Sequence, residues 1–292
     1  MTRGASSGVR IIAACALALV SFVATTTVNA QGTSTKQPPA TKAPPGTTAT
    51  KPGAPKLPNT PKIPTKFEDL FAERDSRAVA AVGYLQCLQS TVGALRGGAL
   101  GTIPVSLSIA CIDTGKEWRG VFGELGEAGI DVKAQWAPAR NVSTKDPVDT
   151  NKVNGTARAL LRGLSAPLPS AGKYEYIPVP LHQGTFMEVW FLPAPTGPAH
   201  QVVGGDSLIQ MSPDGARELG HSRSVPPIRL LTPPANADSW TIPSLEERIP
   251  TVSELMAAYL ALSVVKEVTI KTHQYESTIS RDAKAWKHRQ PI

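Results

Sequence analysis

Apolar side chains recur at three-, four- and seven-residue steps over residues 67–95, where Phe71, Ala78, Val82, Leu85, Val92 and Leu95 form one stripe. That period predicts a helix with one core-facing side. Glu68 and Asp69 fall in its first turn, where carboxylates complement the helix dipole, and Gly97-Gly98 closes it. Beyond the glycines the period changes to two. Val105, Leu107 and Ile109 alternate with Ser106 and Ser108, so residues 103–112 read as a half-buried strand. Residues 118–122 and 130–136 read as two more strands around a Gly-rich turn. Helical spacing returns over residues 149–164, carried by Val153, Ala157, Leu160, Leu161 and Leu164.

The second half of the chain reads mainly as strands. Residues 174–180 and 186–192 are predicted strands separated by a loop at 181–185. Residues 207–211 and 216–219 flank Ser212-Pro213-Asp214-Gly215, which has Pro and Gly where a type I turn accepts them. Residues 225–250 are rich in Pro and polar residues and read as an extended surface excursion. A helix follows at 251–265, with Pro250 before it, Glu254 in its first turn and a broad apolar face. Residues 267–272 and 275–280 read as the last strands. The expectation is a mixed α+β fold with a mainly antiparallel sheet, an N-terminal amphipathic helix and a C-terminal helix. It occupies residues 67–292, with a sub-boundary near 145–170.

Ahead of this domain the pattern is different. Residues 1–10 carry Arg3 and Arg10 and no acid, residues 11–24 are apolar, and Val28-Asn29-Ala30 precedes Gln31. A positive start, a short apolar core and small residues at −3 and −1 have the layout of a secretory signal peptide over residues 1–30. The apolar run is shorter than the roughly 20 residues of a membrane span. Residues 31–66 hold nine Pro among Thr, Ala, Lys and Gly, with Leu57 and Ile63 the only large apolar side chains. Such a segment cannot offset its ordering entropy, so it reads as a disordered, semi-stiff linker.

Charge follows the same division. The whole chain of 292 residues is formally +7, yet no acidic residue precedes Glu68. Eight cations lie in residues 1–66, and the remaining 226 residues hold 22 cations against 23 anions. The basic character belongs to the front end, which removes the case for a basic nucleic-acid-binding domain. Aromatics make up 5% of the chain and do not interleave with basic residues, which excludes a single-strand stacking platform. Six spaced Lys in the linker predict weak, salt-sensitive attraction to anionic envelope polymers.

Cys15 would leave with the signal peptide. An exported chain then keeps Cys87 and Cys111, which either close one disulfide between the first helix and the first strand or remain two buried thiols. No Gly-X-Ser-X-Gly, P-loop, dinucleotide-binding fingerprint, His-Glu-X-X-His or Cys-X-X-Cys occurs. The five His stand at no helical ligand spacing from one another. Arg158 and Arg162, four apart on the predicted helix, are a candidate pair for gripping a phosphate or carboxylate.

One constellation carries candidate chemistry. Phe186-Met187-Glu188-Val189-Trp190 places a Glu in an apolar strand, Gly220-His221-Ser222-Arg223 follows a hairpin strand, and Pro250-Thr251-Val252-Ser253-Glu254 opens the last helix. This order, within residues 186–280, resembles the metal site of the JAB/MPN metalloprotease-like family. There a strand Glu, a His-Ser/Thr-His pair and a Ser-X-X-Asp assemble around zinc on an α+β fold. The resemblance implies Glu188 as general base, His221 as a first ligand and Glu254 in place of the Asp ligand. Arg223 stands where the second His belongs, and a guanidinium cannot ligate zinc. The implied site is therefore degenerate, with Arg223 facing a polar ligand instead.

Together these features predict an exported bacterial cell-envelope protein, periplasmic or extracellular. Its non-catalytic binding or scaffolding domain would ride on a flexible tether and need no cofactor. The alternative is a metal-dependent hydrolase, a peptidase or amidase acting on envelope material, with zinc as its cofactor. The expected partner is an envelope component or a protein. A protein partner seated on the apolar helix at 251–265 requires that helix face to stay exposed.

Overall fold

A computed structural model describes residues 65–97, 108–126, 129–137, 146–165, 175–195, 200–223, 227–234, 236–283 and 285–291. The predicted signal peptide and nearly all of the linker lie outside the described residues, as does the front half of the strand predicted at 103–112. The fold is α+β with mainly antiparallel sheets, as the periodicity implies. Helix α1 spans Thr65–Arg96. Of its predicted stripe, Phe71, Ala78, Leu85 and Val92 are buried, while Val82 and Leu95 are half-buried. The helix closes at Gly97, whose amide donates to the Gly93 carbonyl at 2.9 Å. By length and composition Lys66–Arg96 would also serve as a membrane span. Here its apolar side packs against the rest of the domain.

Strands β1 (Ser108–Asp113), β2 (Trp118–Gly126) and β3 (Gly129–Trp136) form an antiparallel three-stranded sheet in that order. Helix α2 follows at Thr150–Ser165. Asp149, read from sequence as the first helical residue, is its cap: Oδ1 accepts from the amides of Asn151 and Lys152 at 3.0 and 3.1 Å.

The central sheet has the order β4-β5-β7-β8, all antiparallel, from Tyr176–His182, Met187–Pro193, Ser207–Met211 and Glu218–Arg223. Its two faces pack differently because side chains alternate along a strand. Val189, Phe191 and Ile209 meet Ala159 of α2 on one face. Ile177, Val179, Leu181 and Leu192 join the main core, with residues of α1, on the other. The α2 face is tight: a Cβ on Gly163 would stand 2.9 Å from the Phe191 ring. Gly215, in the predicted turn, has φ +67°, and a Cβ there would fall 2.1 Å from the Gly155 carbonyl oxygen. Only Gly satisfies both the backbone and the space.

Four strands lie where the sequence predicted none: β6 (Gln201–Val203), β9 (Arg229–Leu231), β10 (Ser239–Pro243) and β13 (Lys287–Arg289). Strand β6 pairs with β9. Strand β10 pairs in parallel with β11 (Glu267–Lys271), which continues to β12 (Glu276–Ser280) and β13. The surface excursion predicted at 225–250 thus contributes two strands and two core side chains, Trp240 and Ile242. Proline and polar content hid a strand whose burial alternates residue by residue. Helix α3 is shorter than predicted, Val252–Ala261. Its apolar face is buried through Leu255, Met256, Ala257 and Ala258, which removes the exposed surface that a partner on this helix requires.

Candidate functional site

Of the three Arg on helix α1, Arg74 and Arg77 lie on turns that face the main core, and each reaches a different buried polar cluster. Glu188 sits on β5, paired with Leu181 of β4 and Gln210 of β7, with 1% of its surface exposed. Arg77 grips it through both oxygens, Nε to Oε2 and Nη2 to Oε1, each at 2.7 Å. Trp190 Nε1 donates to Oε2 at 2.8 Å and Gln183 Nε2 to the same atom at 3.4 Å. Three donors converge on Oε2 and one meets Oε1, so both oxygens are engaged. The guanidinium also lies 5.8 Å from the Trp190 ring centroid and pairs with Glu73 one turn back. Its hydrogen bonds to Glu188, and secondarily to Glu73, raise its pKa.

The second cluster surrounds the start of α3. Thr251 is its cap: Oγ1 accepts from the Glu254 amide, and Glu254 Oε2 accepts from the Thr251 amide at 3.0 Å. This reciprocal pair is a capping box. Ser244 donates to Glu254 Oε2 at 2.8 Å, and Arg229 of β9 donates to Oε1 at 2.9 Å. Asp206, fully buried just before β7, accepts from the Ser253 amide at 2.9 Å and from the Ser253 hydroxyl. Burial pushes the pKa of both acids up, and for Glu254 the nearby Asp206 charge adds to the rise. Arg74 donates to the carbonyls of Ile249 and Pro250, which ties α1 to the entry of α3. Thr251→Ala is expected to lower stability by about 1 kcal/mol, the usual worth of an N-cap, in urea unfolding. A change below about 0.3 kcal/mol would show that Asp206 and Ser253 hold the helix start without it.

The structure does not gather the four residues singled out by the family resemblance. His221 shares a rung with Ile209 and Val189, whereas Glu188 shares one with Gln210. Adjacent rungs point to opposite faces, so Glu188 faces the main core and His221 projects on the α2 side, two strands away, or about 10 Å. The His221 side chain is 78% exposed and lies 3.3 Å from Glu218. Glu254 belongs to the capping cluster and shares no hydrogen-bond partner with Glu188. Arg223 ends β8 opposite Ser207. Among the described residues, no group of three or more His, Cys, Asp and Glu stands together as a metal would need. Arg158 is half-buried and near enough to Asp214 to help lower its pKa, while Arg162 is exposed in the last turn of α2. Cys87 and Cys111 are brought together, their sulfurs 2.05 Å apart.

Sequence reasoning missed Arg74, Arg77, Asp206 and Arg229. A usable signal existed for the first: Arg74 falls between Phe71 and Ala78 at helical spacing, so a cation occupies a core-facing position. His182, at the end of β4, was also passed over. Its Nε2 lies 3.0 Å from Thr156 Oγ1 of α2, and burial, with Lys152 nearby, lowers its pKa below 6.5. The unfolded chain therefore binds the proton more readily. The stability contributed by neutral His182 is complete above about pH 6.5 and declines as pH falls through the lower folded pKa. In thermal melts the gap between wild type and His182→Gln should narrow from pH 7 to pH 5. A constant gap would mean that His182 does not titrate in this range.

Comparison with models of protein families, with curated proteins and with solved structures finds no match.

Proposed function

We propose that residues 67–292 form a binding or scaffolding domain, exported and held near the cell envelope by the Pro- and Lys-rich linker. The observation that carries the reading is how the buried acids are used. Glu188, Glu254 and Asp206 each accept several hydrogen bonds that join separate elements: α1 to β5, β9 to α3, and the segment before β7 to α3. Groups committed in this way support architecture rather than proton transfer, since a general base needs a lone pair aimed at its substrate. The leader-like start and the linker composition supply the location.

The test uses the full chain expressed in a bacterial host. N-terminal sequencing is expected to find Gln31 first, in material released from the periplasm. An uncleaved chain retained in the cytoplasm would overturn the export reading. The mature protein should then co-sediment with purified peptidoglycan sacculi at low salt. Replacing Lys36, Lys42, Lys51, Lys56, Lys62 and Lys66 by Gln should reduce retention. Failure to sediment at any salt would remove the envelope contact.

A further inference from the structure

Among the described residues, the buried acids have cationic neighbours. Glu188 has Arg77, Glu254 has Arg229, and Glu276 has Lys271 and Arg289. Asp206 feels Arg74. Asp75, half-buried one turn from Phe71 and Ala78 on the same side of α1, has no Lys or Arg partner among the described residues. Its Oδ1 accepts from Tyr259 Oη at 2.7 Å and from Trp286 Nε1 at 2.8 Å. Its Oδ2 takes no hydrogen bond, and it is not among the unpartnered side-chain atoms sealed from solvent. One oxygen is thus anchored while the other remains open to an incoming group. Desolvation pushes the Asp75 pKa up, the signature of a charge lacking compensation.

Two aromatic side chains hold this carboxylate, and Phe71 and His288 pack beside them. The Tyr259 and Trp286 ring centroids are 6.0 Å apart with planes at 86°. Phe71 stands edge-on to Trp286 at 5.3 Å and to His288 at 4.4 Å. Tyr259, Trp286 and His288 are all half-buried, so the group is reachable from solvent. Burial holds His288 below its ordinary pKa, against the opposite pull of Glu68 and Asp75, leaving it neutral near pH 7. The cations flanking it on β13, Lys287 and Arg289, alternate to the other face of the strand, where Arg289 pairs with Glu276. Arg74, next to Asp75 in the chain, is turned toward Ile249 and Pro250.

An anchored carboxylate with one open oxygen, set beside aromatic rings and lacking a cation of its own, is the complement of an alkylammonium group. The carboxylate supplies the counter-charge, and the apolar surface of the neighbouring rings covers the alkyl skirt of the cation. We propose that Asp75, Tyr259 and Trp286 form a binding site for an alkylammonium head, whether a methylated ammonium or the end of a Lys side chain. The inference goes beyond the scaffolding reading and holds wherever the protein resides.

The mature chain would be titrated with tetramethylammonium chloride and, separately, n-butylammonium chloride. Binding would be followed by ligand-observed NMR against sodium chloride at equal ionic strength. The expected result is a dissociation constant of roughly millimolar order, as a single partly exposed carboxylate–ammonium contact with an apolar wall allows. Tighter binding of tetramethylammonium identifies a methylated head, and tighter binding of butylammonium identifies a Lys side chain. Asp75→Asn keeps an oxygen for Tyr259 and Trp286 but removes the charge, and should weaken binding at least tenfold. Trp286→Leu provides a second reading if Asp75→Asn does not fold, and should weaken binding several-fold. No binding of either cation up to 100-fold above that range, or binding that both variants leave unchanged, would overturn the proposal.

Discussion

Arg77→Leu is expected to destabilise the domain by about 3–5 kcal/mol, the usual cost of stranding a buried charge. The size follows from an asymmetry between the partners. Without Arg77, Glu188 keeps only neutral donors, Trp190 and Gln183, at a position with 1% of its surface exposed. Without Glu188, Arg77 keeps Glu73, a partner 56% exposed on the same helix. Glu188→Gln should therefore cost clearly less than Arg77→Leu, although Arg77 itself is only 13% exposed. Replacing both by Leu removes both buried charges and should recover much of the loss, because paired apolar groups often equal a buried ion pair in stability. A double-mutant cycle in urea measures this directly. A single-mutant cost below about 1 kcal/mol would mean that water reaches Glu188 and that the pair contributes as little as an exposed one.

The same pair shows what was legible in the sequence. Phe71, Ala78, Leu85 and Val92 revealed α1 because burial repeats every three to four residues, a local property. A Glu in the apolar run Met187–Pro193 was visible as an anomaly. Its partner was not, since Arg77 lies 111 residues away and only the packing of α1 on the sheet joins them. For the same reason Glu188 and His221 looked like neighbours in a pattern. One step of strand register put them on opposite faces, and spacing along the chain does not report register. Strand β10 went unread because Trp240 and Ile242 are its only buried apolar residues, set among Ser, Thr and Pro. Its parallel pairing to β11 depends on the α3 crossover rather than on any local turn.

Cys87→Ser combined with Cys111→Ser is expected to lower stability by about 3 kcal/mol, from the chain-entropy cost of closing a loop of this length. The bridge spans 24 residues and joins α1 to β1, an edge strand of the three-stranded sheet. That sheet also meets α1 where Trp118 packs on Gly83, leaving no room there for a Cβ. With that contact intact, the double mutant should keep its fold and melt at lower temperature rather than lose the sheet. Both sulfurs are buried, with 1% of each residue exposed, so reductant should act slowly on the folded protein and rapidly once urea opens it. Two alkylatable thiols in unreduced, denatured protein from an oxidising compartment would show that the cysteines are not bridged. The bridge bears on location as well as stability. A stable disulfide is rare where thiols are kept reduced. If the bridge forms and supplies this much stability, the domain gains it only on an oxidising route, which is the route that residues 1–30 suggest.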